Sequence, residues 1–202
     1  MKISTKKITI LALCIAINMI GSWIGVLIKL PVYLDSIGTI MAGFAFGPIF
    51  GILAGMITAF VNTIGDPIAL YFMPTQLIVG FTAGYFKFLK RDDYISKFYL
   101  TPFMSIPAAI SSALIATYLF GTVTTAGSSY IVQALRAVMD LPDFVIVFVI
   151  QIITDYADKL ISILLVSKVY NMGAFQNILK KWLLRPLLNE VVFYFGKFSL
   201  IC

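Results

Sequence analysis

The sequence predicts an all-α integral membrane protein, a bundle of six transmembrane helices with both termini cytoplasmic. Three observations carry that prediction. The chain is 60% hydrophobic and 12% charged, with a mean hydropathy of +0.99, against about 25% charged residues in ordinary soluble domains. Its apolar runs approach the length that crosses a bilayer, and its basic residues gather on alternate connecting segments. In 202 residues with no hydrophilic block, there is room for one membrane domain, 1–170, and a cytoplasmic or interfacial amphipathic tail, 171–202.

The apolar runs fall at 8–28, 31–46, 48–65, 69–88, 98–120 and 143–166. The first follows lysines, as a signal peptide would. It ends without a small-x-small cleavage site, so it is expected to stay as a helix. The second and third are short against the ~20 residues a span needs and must be helped by their flanks. Asp35 can cap the second helix, and Gly47-Pro48 reads as a tight turn on the inner side between the second and third. Asp66 and Pro67 form an N-cap followed by proline at the first helical position, which starts the fourth helix on the outer side.

The stretch "GFAFGPIFGILAG", 43–55, places glycines at 43, 47, 51 and 55. Each glycine costs a soluble helix about 1 kcal/mol against alanine. In a bilayer the same spacing lets two helix backbones approach closely, with van der Waals contact replacing the missing hydrophobic drive. Gly80 and Gly84 offer the fourth helix the same close approach.

With the N-terminus inside, the inner segments carry Lys2, Lys6, Lys7, Lys87, Lys90, Arg91, Lys97, Lys168, Lys180, Lys181, Arg185 and Lys197. The outer segments carry Lys29 and Arg136. The net charge of +6 therefore records topology rather than a nucleic-acid surface. The tail from Lys180, interrupted by Arg185, Pro186, Asn189, Glu190 and Lys197, is expected at the inner interface.

Composition also weighs against catalysis. There is no histidine, the commonest general base and metal ligand. Cys14 lies in the first apolar run and Cys202 is the last residue, so no disulfide or thiolate metal site is expected between them. No cofactor is expected in this chain. No Walker A pattern occurs, so any ATP must be used by partner subunits.

Polar residues inside spans face the bundle interior because exposure to lipid is costly. Gln151, Asp155, Lys159 and Ser162 form one stripe on the last helix, with Asp155 and Lys159 an i,i+4 acid-to-base pair. That pair could equally be a self-neutralised packing device. Asn62, Asp66 and Gln76 cluster near the outer ends of the third and fourth helices. Gln76 and Gln151 come to matching depth, so both are expected to face a common outer cavity, with Asp155 as its floor held by Lys159. Tyr130, Arg136 and Asp140 lie in an outer segment, "TTAGSSYIVQALRAVMDLPD", that reads as a loop with a short amphipathic helix. Ligand contact there competes with an ordinary solvated loop. Tyr33, Tyr71, Phe72, Tyr118 and Tyr130 could stack on a flat ring or form an interfacial aromatic belt.

The run "VYLDSIGTIMAGFAFGPIFGILAGMITAFVNTIGDP" with "MPTQLIVGFTAGY" resembles the substrate-binding membrane subunit (S component) of energy-coupling factor vitamin transporters. Ala12 and Ala16 in "ALCIA" are similar to that family's AxxxA docking motif, and "TDYADKLISILL" to the last helix of several members. The resemblance covers about residues 8–170. It implies a non-enzymatic subunit in a bacterial-type plasma membrane that binds a small water-soluble vitamin or precursor at the outer face. It also implies a coupling transmembrane subunit, two cytoplasmic ATPases, contact with membrane lipid, and toppling against the partner on a smooth small-residue face of helices one to three. The competing reading is a multi-span membrane sensor or packing module without transport activity. A lipid-handling enzyme would need a nucleophile–base or metal constellation that this composition does not supply.

Overall fold

The computed structural model describes residues 5–85, 94–173 and 177. Among them every regular element is a helix: α1 (Thr5–Leu27), α2 (Ile37–Phe46), α3 (Pro48–Asn62), α4 (Met73–Tyr85), α5 (Tyr94–Tyr118), α6 (Ser128–Arg136) and α7 (Asp143–Asn171), with a 3-10 turn over Pro67–Phe72. Residues 1–167 make one compact unit and 168–202 a second. The 180–202 tail, Cys202, Lys2, Lys87, Lys90 and Arg91 lie outside the described residues.

By length and composition α1, the Pro67–Tyr85 stretch and Lys97–Tyr118 can each cross a bilayer, while α2 and α3 are shorter apolar helices. At 29 residues α7 is longer than any of these, but Asp155, Asp158 and Lys159 interrupt its apolar run. Lys97, expected in an inner loop, lies instead within the first turns of α5 and is buried.

The glycines of 43–55 do what their spacing suggests, against α4. A methyl group on Gly51 would collide with the Gly80 carbonyl, one on Gly55 with the Gln76 carbonyl, and one on Gly84 with Pro48. Gly47 joins α2 to α3 in a single residue, at a φ of +97° that glycine adopts without penalty, and Pro48 opens α3. Gly43, Gly51, Gly55, Gly80 and Gly84 are thus occupied at the α2–α3–α4 seam.

Asn18 locks the first three helices together. Its Oδ1 accepts the Gly38 N–H at 2.6 Å, and its Nδ2 donates to Thr39 Oγ1 at 2.8 Å and Thr58 Oγ1 at 3.0 Å. The Gly38 N–H belongs to the first turn of α2, where no intrahelical acceptor exists, so α1 supplies the cap from outside. Asp35, expected as that cap, does not serve; Ser36 holds the N-cap position without a side-chain bond. At Asp66 the capping expectation holds, its Oδ1 accepting the Ile68 N–H at 3.1 Å. The helix it starts is the 3-10 turn, however, and α4 proper begins at Met73.

α5 contains Pro102 and Pro107. Pro102 has no N–H to give the Phe98 carbonyl four residues back, and the Tyr156 hydroxyl of α7 donates to that oxygen instead, at 3.3 Å. Further along, Ala113 and Ala116 of α5, Val132 of α6, and Ile146, Val147 and Ile150 of α7 form one buried apolar cluster. The expected amphipathic helix of the outer segment is α6, docked through Val132.

Candidate functional site

A cavity opens among α3, α4, α5 and α7, roofed by the connectors 28–36 and 119–127. About 70 Å³ of it is open to the centre of a water molecule, room for several waters at ~10–15 Å³ each. Each wall follows from helix periodicity. Asn62 and Ala59 come from α3, Thr75, Gln76 and Val79 from α4, Ser112 from α5, and Gln151, Asp155 and Lys159 from α7. The last three stand four residues apart and so share one face of α7.

Of the residues singled out in the sequence, Asn62, Asp66, Gln76, Gln151 and Asp155 all line this cavity. Gln76 and Gln151 do face a common space. Tyr130 and Arg136 are not brought to it. Tyr130 is exposed beneath the Lys29 ammonium, 5.0 Å from its ring centroid. Arg136 pairs with Asp143, Nε to Oδ1 2.8 Å, and donates from Nη1 to Thr122 Oγ1 at 2.8 Å. Thr122 has a φ of +76°, unfavourable for a β-branched residue, and Gln133 adds a second donor to the same hydroxyl at 3.1 Å. Arg136 thus holds a strained turn of the roof. Asp140 is exposed. Of the aromatics, Tyr33 and Phe72 line the cavity, whereas Tyr71 and Tyr118 are exposed.

The roof is tied down by polar contacts. Tyr33 Oη and Thr125 Oγ1 are 3.0 Å apart, and the Thr125 hydroxyl donates to Asp66 Oδ2. Gly127 lies so close to the Lys29 and Leu30 carbonyls that a methyl group would not fit. Beneath, the Leu34 N–H donates to Asp158 Oδ1 at 2.9 Å and the Ser36 hydroxyl to Asp158 Oδ2 at 3.2 Å.

Asp158 also displaces Asp155 as the direct partner of Lys159. Lys159 Nζ lies 2.6 Å from Asp158 Oδ2, both side chains buried. Asp155 instead accepts the Ser112 hydroxyl at 3.2 Å. Asp158 faces the 28–36 connector, so it draws in both the connector's donors and the lysine; Asp155 faces the cavity wall.

Asp35 is the main residue whose role the sequence did not reveal. It sits in the connector ahead of α2, and its Oδ2 accepts Gln76 Nε2 at 2.6 Å. Gln76 Oε1 and Asn62 Oδ1 are fully buried and have no protein hydrogen-bond partner among the described residues. Among the described residues no group of histidine, cysteine or acidic side chains could hold a metal ion.

A cavity with polar side chains from several helices inside an apolar helical bundle is the architecture of a small-molecule binding protein of the membrane. The chain belongs to the substrate-specific components of ECF transporters, whose family model matches residues 6–184. No curated protein and no solved structure matches it. Members of this family are transport subunits rather than enzymes, and membership implies association with ECF coupling and ATPase modules.

Proposed function

We propose that this chain is the substrate-specificity subunit of an ECF-type importer in a bacterial-type plasma membrane. It crosses the membrane six times with both ends cytoplasmic and binds a small water-soluble vitamin or precursor at the extracytoplasmic face. Delivery then requires a coupling membrane subunit and two cytoplasmic ATPases, which use the ATP. The observation that carries this reading is the convergence of Asn62, Gln76, Gln151 and Asp155, from three helices, on one cavity inside an apolar bundle.

In this reading Asn62, Gln76, Gln151 and Asp155 contact the ligand, and Asp66 holds the roof at its mouth. Tyr130 and Arg136 support the roof from behind. Ala12 and Ala16, one helical turn apart and both exposed on α1, are the docking face for the coupling subunit. A screen of vitamins by thermal shift on detergent-purified protein tests the binding role. With the bound vitamin in hand, Gln76→Leu and Gln151→Leu should each weaken binding by about 1–3 kcal/mol. Calorimetric titrations in which both variants bind like wild type would place the site elsewhere.

A further inference from the structure

Helix α6 carries its side chains in the reverse of the usual order. At about 100° per residue, Ser128, Ser129, Val132, Gln133 and Arg136 share one side. Tyr130, Ile131 and Ala134 share the other, and Val138 continues it just past the helix end. The first side is mostly polar and is turned into the protein. The Ser129 hydroxyl accepts the Thr124 N–H at 2.8 Å, Gln133 Nε2 donates to Thr122 Oγ1 at 3.1 Å, and Arg136 Nη1 donates to the same oxygen at 2.8 Å. The second side is apolar and is turned out. Tyr130 is 59%, Ile131 40% and Val138 85% exposed, and Ala134 is exposed as well. A surface helix in water turns its apolar side to the core and its polar side to solvent. Here the polar side is committed to the 122–124 turn, so the outer side calls for an apolar surround.

The position of α6 in the fold says what that surround is. Val132 lies in one buried cluster with Ala116, two residues before the end of α5, and with Ile146 and Val147 near the start of α7. The helix is therefore level with the end of the membrane-length stretch Lys97–Tyr118. At that level a bilayer passes from acyl chains to headgroups. The nearby charges fit the headgroup layer. Lys29 Nζ stands 5.0 Å from the centroid of the Tyr130 ring, and the Arg136–Asp143 pair is 36% and 43% exposed. A tyrosine ring beside a cation is a common anchor at the membrane–water boundary. Leu27 and Ile28, which precede Lys29 in the chain, are also exposed.

We propose that α6 is an interfacial helix whose outer side, Tyr130, Ile131, Ala134 and Val138, lies in the headgroup–acyl boundary of the leaflet at which α5 ends. Its opposite side holds Thr122 and Thr124, so the lipid surface seats the turn that roofs the cavity. This placement holds for either orientation of the chain in the membrane and for any ligand.

Nitroxide labels on the full chain, in vesicles of phosphatidylcholine and phosphatidylglycerol, test the placement. In a Cys14→Ala, Cys202→Ala background, Ile131→Cys and Val138→Cys each carry one label. Ile110→Cys, at an exposed position within the Lys97–Tyr118 stretch, serves as the lipid-facing reference. Both α6 labels are expected to collide with oxygen in preference to a water-soluble nickel chelate. Their depth should be about 5–10 Å into the boundary, shallower than the label at Ile110. Free collision with the nickel chelate at either position puts this side in water. Closure to both probes puts it against protein, either a partner or a second copy of the chain. An oxygen-favoured label as deep as the reference puts α6 in the acyl core. Each of these three results overturns the proposal. Thermal melting identifies a variant that fails to fold, and the other label then decides.

Discussion

Lys159 Nζ lies 2.6 Å from Asp158 Oδ2, its neighbour in the chain, with both side chains buried. The same aspartate takes the Leu34 N–H and the Ser36 hydroxyl. Asp158 therefore neutralises the lysine and anchors the connector that roofs the cavity. Replacing it with asparagine leaves a buried ammonium short of its direct counter-ion, which should cost about 3–5 kcal/mol. Asp155→Asn, whose one direct hydrogen bond is the one from Ser112, should destabilise the fold less. Thermal melting of both variants in detergent checks the contrast; equal destabilisation would contradict the assignment of Asp158 as the structural partner.

Asn18 offers a second test of the buried polar contacts. Its side chain meets one backbone donor and two hydroxyls on two other helices. Asn18→Leu would strand the Gly38 N–H, and we expect a loss of about 1–3 kcal/mol. Asn18→Asp keeps the acceptor for Gly38 but turns a donor into an acceptor facing Thr39 and Thr58. Those hydroxyls can rotate to donate. If the leucine variant melts at the wild-type temperature, this contact is dispensable.

The glycine seam predicts sensitivity to a single methyl group. Gly51→Ala and Gly80→Ala each place Cβ against the facing backbone. A rigid backbone cannot rotate away as a side chain can, so each should destabilise by at least about 1–3 kcal/mol. Gly173→Ala, with nothing within 4 Å of its added carbon, should be neutral. Comparable melting of all three would mean that α3 and α4 can separate without penalty.

Ala12 and Ala16 face outward from α1, next to Leu13 and Ile20, which are also exposed. A bulky side chain there touches nothing inside this chain but would hold a partner helix away. Ala12→Trp and Ala16→Trp should abolish co-purification with the coupling subunit while leaving ligand affinity within about twofold of wild type, since surface substitutions are usually near neutral. Loss of binding together with assembly would show that the two alanines act within the chain's own fold.

Much of this architecture was legible from local signals. Gly47 and Pro48 announced a break because only glycine is at ease at that positive φ and only proline dispenses with the missing donor. Asp66 before Pro67 announced a cap for the same local reason. The i, i+4 spacing of Gln151, Asp155 and Lys159 placed three cavity residues on one face of α7 before any partner was known. Asn62 and Gln76 were legible as interior groups, since an amide in an apolar run must find polar company.

By itself, then, the sequence determined a helical membrane bundle, its glycine-lined close approach, and which polar residues would turn inward. Those properties depend on composition and on the 3.6-residue period, both of which are written in neighbouring positions. The tertiary structure alone decided who pairs with whom. Asp35 reaches Gln76 rather than capping α2, Lys159 chooses Asp158 over Asp155, and Arg136 turns to the roof. Each outcome depends on where a backbone N–H or hydroxyl from a distant segment comes to rest, as the Leu34 N–H does at Asp158 across 124 positions. Local periodicity says which face a side chain occupies; only the packed fold says what stands opposite it.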